Sequence, residues 1–370
     1  MAEKTPLQRL ADEGQSPWID YLSRDLIETG ELARLVSKHG IKGVTSNPTI
    51  FQKAISSGSA YDEQIAELAQ EIHDPKELFI RLAERDVMNA CDVLCDVWEK
   101  GERGRDGYVS IEVDPTLAFD TEATYDEAMR LHAEIDKENL YVKIPATKQG
   151  LPAIEDAIAK GKSINVTLIF SLQRYTEVAE AYVRGLERLV AAGGDPSTVA
   201  SVASFFVSRV DTEADKRLDE IGGRDKLKGK LAIANAKLAY ARYLVLFSGE
   251  RWDFLAGKGA SPQRCLWAST STKNPDYRDV MYVEELVGPD TVDTMPQETI
   301  DAFEDHGKVA RTLDRDLEAA HKVFEDLAAA GVDYDDVVDT LEREGVQKFA
   351  DSFAELIEGL RGKTGELVAA

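Results

Sequence analysis

This 370-residue chain is poor in histidine and cysteine and has far fewer positive than negative charges. Its five histidines (His39, His73, His132, His306 and His321) are scattered, and no two have the spacing of metal ligands on one element. Neither a structural zinc site nor a histidine-based triad is therefore expected, and any chemistry must fall to Lys, Asp, Glu and hydroxyl groups. The three cysteines are Cys91, Cys95 and Cys265. Cys91 and Cys95 lie four apart in an amphipathic stretch and read as small buried apolar residues sharing a face rather than as a redox pair. So sparse and odd a count suits a reducing compartment. No stretch reaches the length of a membrane span, and the first residues have no apolar signal core, so the expectation is a cytoplasmic protein. Asn165-Val166-Thr167 matches a glycosylation acceptor, which carries no meaning in that compartment. With 44 Lys and Arg against 68 Asp and Glu, the formal net charge is −24, which argues against nucleic acid or an anionic membrane as partner. There is no Gly-x-Gly-x-x-Gly turn and no P-loop, so nucleotide binding loses support.

Apolar material is ample, at 43% of residues. It is arranged as short β-branched runs alternating with longer helical patterns, which predicts a parallel sheet wrapped by helices. The expected strands are 17–21, 43–46, 108–113, 140–144, 163–169, 200–207, 264–268 and 291–294, and the expected helices include 59–69, 75–98, 124–136, 150–160, 172–191 and 227–247. Eight strands in this alternation predict an α/β fold of the (β/α)8 TIM-barrel type. Ser171 is expected to cap the helix from Leu172, and Asp74-Pro75 to open another. Beyond Pro296 the chain reads as wholly helical, with amphipathic patterns over 299–330 and 334–360. Residues 298–370 are thus expected to form the last barrel helix and a C-terminal helical extension. No linker or composition break divides the chain, and residues 1–370 read as one domain.

Strands buried on both faces should be continuously apolar, and three of these are not. Leu140, Val142 and Ile144 share one face with Lys143 opposite. Val109, Ile111 and Val113 oppose Ser110 and Glu112. Ile164, Val166 and Leu168 oppose Asn165 and Thr167. The aliphatic faces suit the surrounding helices, and the polar ones would look into the barrel. The polar positions fall in the C-terminal parts of their runs, where barrel enzymes hold their sites. A lysine buried there is costly unless it is used, and desolvation lowers an amine's pKa and exposes a nucleophile. Glu112 and Asp20 would oppose that shift by favouring the ammonium form.

These residues resemble a known family. Gly43-Val44-Thr45-Ser46-Asn47-Pro48, Tyr141-Val142-Lys143-Ile144-Pro145-Ala146-Thr147 and Ile164-Asn165-Val166-Thr167-Leu168-Ile169-Phe170-Ser171 are similar, in order, to the transaldolase signatures. The resemblance runs from about Trp18 to about Pro296. Leu266-Trp267-Ala268-Ser269-Thr270 followed by Lys273-Asn274-Pro275 resembles the longer bacterial members.

The resemblance implies a metal-free, cofactor-free enzyme of the non-oxidative pentose phosphate pathway. It would transfer a dihydroxyacetone unit from sedoheptulose 7-phosphate or fructose 6-phosphate to glyceraldehyde 3-phosphate or erythrose 4-phosphate. Lys143 would form a Schiff base with the ketose C2. Glu112 and Thr167 would hold the proton-shuttling water, and Asp20 would act on the C4 hydroxyl. Asn47, Asn165 and Ser204 would hold the substrate hydroxyls, with Thr45 and Phe206 also facing the substrate. Each residue has a structural alternative: a helix cap for Asp20, a turn for Asn47-Pro48, packing for Ser204 and core filling for Phe206.

Two departures concern the phosphate. The family's seventh-strand Ala-Ser-Phe-Arg is here Ala268-Ser269-Thr270-Ser271-Thr272-Lys273, and its Phe-Val-Gly-Arg is Phe206-Val207-Ser208-Arg209. Arg209 would anchor the phosphate, with Lys273, Ser269 and Ser271 replacing the second arginine. The partners are then small sugar phosphates, in a monomer or homodimer. The rival readings are a fructose 6-phosphate aldolase releasing free dihydroxyacetone, against which Glu112 and the chain length speak, and a non-catalytic phosphosugar-binding barrel.

Overall fold

A computed structural model describes residues 4–101 and 105–369. The alternation expected from the sequence becomes seven parallel strands: β1 (Gln15–Ile19), β2 (Val109–Glu112), β3 (Leu140–Pro145), β4 (Ile164–Ile169), β5 (Ser201–Phe206), β6 (Arg264–Ala268) and β7 (Thr291–Met295). They are ordered β1-β7-β6-β5-β4-β3-β2. The expected second strand, 43–46, is not a strand. Only Val44 bridges, to Ile19 of β1 on one side and Val109 of β2 on the other. Backbone bonds nonetheless hold this segment to both neighbours. Ile19 N donates to Gly43 O (3.0 Å) and Thr45 N to Ile19 O (2.9 Å), while Val44 N donates to Tyr108 O (2.9 Å) and Ser110 N to Val44 O (3.0 Å). An eighth stave of bridge residues thus joins the sheet's two ends, and the fold is a TIM-barrel-like α/β fold with C-terminal helices. The stave is too short for a ladder because Asn47 and Pro48 already start a helix, Pro48–Ser56.

Several expected boundaries move. The first strand ends at Ile19, leaving Asp20 just beyond it. The amphipathic pattern over 299–330 is broken: helices Gln297–His306 and Leu317–Ala330 are separated by a non-helical stretch from Gly307 to Asp316. Gly307 sits where an added Cβ would meet the Phe303 ring at 2.4 Å, a close approach that marks the break. The expected caps form: Ser171 Oγ accepts from Arg174 N, and Asp74 Oδ1 from Lys76 N. An additional N-terminal helix, Pro6–Asp12, is closed by a Thr5/Gln8 capping box. Cys91 is buried, but Cys95 is only partly so, with Sγ toward Glu99, so the two do not share a buried face. No described helix is long and apolar enough to cross a membrane.

Strand parity sorts the side chains. The outward aliphatics meet the helices in a continuous apolar cluster, while the inward positions stack in layers. At the N-terminal end Arg264 is buried and donates to Ser16 Oγ (2.9 Å) and Asp106 Oδ1 (3.3 Å), and Trp18 Nε1 donates to the same carboxylate oxygen (3.3 Å). Trp18 and Tyr108 flank Tyr141, at ring separations of 6.2 and 4.1 Å, and fill the layer above. That end of the barrel is plugged. A Cβ on Gly43 would lie 2.3 Å from the Trp18 ring, so Gly43→Ala is expected to force the ring aside. Overpacking of this kind costs about 1–3 kcal/mol. Urea unfolding should show a lower midpoint at unchanged slope, and an unchanged midpoint would show that the plug yields without cost.

Candidate active site

The C-terminal ends of the strands surround a cavity of about 460 Å³, lined among others by Asp20, Thr45, Asn47, Lys143, Thr167, Ser204, Phe206, Arg209, Ser269, Ser271 and Lys273. Eleven of the thirteen residues singled out in the sequence therefore face one space. The other two, Glu112 and Asn165, do not line it and lie against its floor. Glu112 is the register partner of Lys143 across β2–β3, and Lys143 that of Asn165 across β3–β4. Adjacent inward positions on neighbouring strands touch, so Lys143 Nζ lies 3.0 Å from Glu112 Oε2, with side-chain exposures of only 6% and 2%. Nζ also donates to Ser46 O at 2.8 Å, so the closing stave holds the amine as well. Among the described residues, neither Glu112 oxygen makes a hydrogen bond beyond the ion pair, and Thr167 Oγ1 is buried with no partner.

Thr167 is aimed by a break in the ladder. The β4–β5 register shifts between Val166 and Ile169, and Leu168 sits at φ 59°. A non-glycine residue in that region is strained, and such bulges re-aim side chains next to functional sites. Ser204 Oγ donates to Asn165 Oδ1 (2.7 Å), and Asn165 Nδ2 to Ser110 Oγ (3.1 Å), which fixes the amide beside the lysine. Thr45 Oγ1 donates to Asp20 Oδ1 (2.7 Å). The cap of the next helix is Ser23, whose Oγ accepts from Leu26 N, so Asp20 is not a helix cap. Asn47 does cap its helix, with Oδ1 accepting from Ile50 N at 3.1 Å, and also faces the cavity. Burial pushes both carboxyls above their ordinary range. For Asp20 this outweighs the fields of Lys143, Arg209 and Lys273 and the Thr45 bond. For Glu112 it outweighs the adjacent Lys143.

Farther out, Arg209 follows β5, and its guanidinium lies 4.9 Å from the Phe206 ring centre and 5.6 Å from that of Phe349. Ser269, at φ 57°, shares a hydrogen bond with Ser208 (2.8 Å), and Lys273 Nζ donates to Ser271 Oγ (2.6 Å). Sequence reasoning missed Tyr21, Lys53, Glu298, Lys348 and Phe349, which line the same cavity. The last two come from the C-terminal helix Tyr334–Ala369. A usable signal was Gly345: a glycine inside a helical pattern marks a close approach, and a Cβ there would lie 3.2 Å from Leu168 and 3.4 Å from Phe170. Among the described residues, no group of three or more His, Cys, Asp or Glu is placed to hold a metal ion.

Residues 17–360 match the family described as Transaldolase/Fructose-6-phosphate aldolase. A protein named Transaldolase from Saccharopolyspora erythraea is 50% identical over 362 residues, 98% of each chain. Another of that name from Frankia alni is 51% identical over 363 residues, 97% of this chain and 98% of the relative. A third, from Acidothermus cellulolyticus, is 53% identical over 353 residues, 95% of each chain.

The raised Asp20 pKa has a stability consequence. The folded state holds this proton more tightly than the unfolded chain, so the group's contribution worsens as pH rises from the ordinary value of 3.8 through the folded value, and is worst above it. Asp20→Asn keeps an acceptor for Thr45 and removes the buried charge. Its urea midpoint should exceed that of the parent chain at pH 8, with the gap narrowing at pH 4. A lower midpoint at pH 8 would show that the Lys143 and Arg209 fields outweigh burial.

Proposed function

We propose, starting from the fact that this chain belongs to the transaldolase/fructose 6-phosphate aldolase family, that its cavity performs Schiff-base transaldol transfer with Lys143 as nucleophile. Transaldolase activity makes it a transferase acting on sugar phosphates, and relatives of that name covering 95–98% of the chain favour transfer over simple cleavage. The observation that carries the residue assignment is a buried lysine 3.0 Å from a carboxylate whose proton affinity burial has raised, at the floor of a cavity that also exposes Asp20.

Glu112 accepts a proton from the Lys143 ammonium, and the free amine attacks the ketose C2 to give a carbinolamine. Loss of water gives the imine. The unpartnered Thr167 hydroxyl and the Glu112 carboxyl suit a water that carries protons in this step. Asp20 takes the proton of the C4 hydroxyl as the C3–C4 bond breaks. The bonding electrons flow into the iminium, and the aldose phosphate departs. The three-carbon enamine stays on Lys143 until an acceptor aldose phosphate arrives and the steps reverse. Asn165, Ser204, Thr45 and Asn47 orient the fragment's hydroxyls, and Phe206 walls the cavity. Arg209, with Lys273, Ser269 and Ser271, takes the phosphate of donors such as fructose 6-phosphate or sedoheptulose 7-phosphate. The imine supplies the electron sink, so no metal is assigned a role. The reading places the enzyme in the cytoplasm as a monomer or homodimer, and the continuous apolar cluster among the described residues supports a single domain.

Borohydride with fructose 6-phosphate should add a dihydroxyacetone-derived mass to Lys143 alone, with turnover surviving EDTA. A label on another lysine, or none, would sink the assignment. Asp20→Ala should still be labelled but cleave ~10²–10⁴-fold more slowly, the usual contribution of a positioned acid–base group. A loss under about ten-fold would take Asp20 out of the chemistry.

A further inference from the structure

The rim of the cavity carries more positive charge than Arg209 and Lys273 supply. Lys53, on helix Pro48–Ser56, and Lys348, on the C-terminal helix, line it as well. In a chain of net charge −24 most cations could find a carboxylate. None of these four lies within ion-pair distance of one among the described residues: Lys273 donates only to a hydroxyl, and Arg209 rests on two aromatic rings. Four cations brought to one rim from separate parts of the chain, with only the Glu298 carboxylate lining the cavity beside them at that level, repel one another less when a further anion sits among them. The field of Arg209, joined by partial burial and by Lys273 and Lys53, depresses the Lys348 amine below its ordinary value.

The C-terminal helix is held in place independently of any anion. Gly345 lets it lie against Leu168 and Phe170. Phe349 is 3% exposed, and Thr49 donates to Ser352 across to helix Pro48–Ser56 (2.8 Å). Gly345, Lys348, Phe349 and Ser352 are spaced three, four and seven apart, so they share one helix face, and that face looks at the cavity. Lys348 is thus delivered to the rim by packing.

We propose that Lys348 and Lys53 complete the phosphate site with Arg209 and Lys273, so that the C-terminal helix selects phosphorylated over unphosphorylated sugars. This rests on the reading of the cavity as a sugar-phosphate transfer site. A terminal phosphate carries close to two negative charges and three acceptor oxygens. Arg209 supplies a planar fork and the three lysines supply point charges around it. The family's missing second arginine is replaced by distributed charge rather than by one residue.

The test compares Lys348→Ala, Lys53→Ala and the double variant with Lys348→Arg. Lys322→Ala is the control for lost net charge, since Lys322 is paired on another helix, 2.9 Å from Asp326. Each alanine variant should raise KM for fructose 6-phosphate roughly ten-fold with kcat largely kept, as expected for losing a charged contact to phosphate. kcat/KM for fructose should change less than about two-fold. Lys348→Arg should recover most of the loss, and the control should match the parent. Inorganic phosphate, titrated by calorimetry into the unreacted protein, should bind correspondingly more weakly to the alanine variants. Unchanged phosphate binding and KM, or equal losses on both sugars, would overturn the proposal. Borohydride labelling of Lys143 in the parent separates the two ideas. With labelling intact, such results reject only the role of the two lysines. Without labelling, the transfer reading fails, and calorimetry still decides whether the four cations hold phosphate.

Discussion

Closure of the barrel through residues 43–46 is the constraint on which the site depends. The segment makes no ladder of its own, yet it is hydrogen-bonded to β1 and to β2. In that position its Ser46 carbonyl faces Lys143, its Thr45 hydroxyl reaches Asp20, and it runs straight into the Asn47 cap. Shifting it would move three contacts at once. The Trp18 ring beneath Gly43 leaves it little freedom to do so.

Much of this was legible beforehand because two periodicities coincide. Alternation along 109–113, 140–144 and 164–168 separates aliphatic from polar faces, and parallel register then sets Glu112, Lys143 and Asn165 side by side. Parity says which way a residue points but not how far up the barrel it sits. It could not tell that Glu112 and Asn165 lie under the cavity while Thr167 faces it. Nor could it foresee the bulge at Leu168, where a residue type that avoids positive φ is held there by its surroundings. The second stave looked like a strand because Val44 and Thr45 have strand propensity, but pairing stops where the Asn47-Pro48 cap begins. Lys53 and Lys348 were invisible for a different reason. Each is one exposed lysine on an amphipathic helix, and only the tertiary packing of those two helices brings them to one rim.

The charges of the site are arranged against stability. A buried Lys–Glu pair seldom repays the desolvation of both ions. Here the Glu112 oxygens, Thr167 Oγ1 and Asp20 retain polar capacity that the fold leaves unspent. One buried pair in the helical layer is made more tightly. Arg24 and Asp86 meet at 2.9 Å, with Tyr61 adding a hydrogen bond to the same carboxylate.

The plug of Arg264, Asp106, Trp18 and Tyr141 also has a kinetic meaning. With the N-terminal end filled, everything enters and leaves by the same doorway. A donor must deposit its three-carbon fragment and its remainder must clear the threshold before an acceptor can approach. On the proposed reading both visitors bring a phosphate to the same berth, so traffic alternates and a surplus of one sugar obstructs the other.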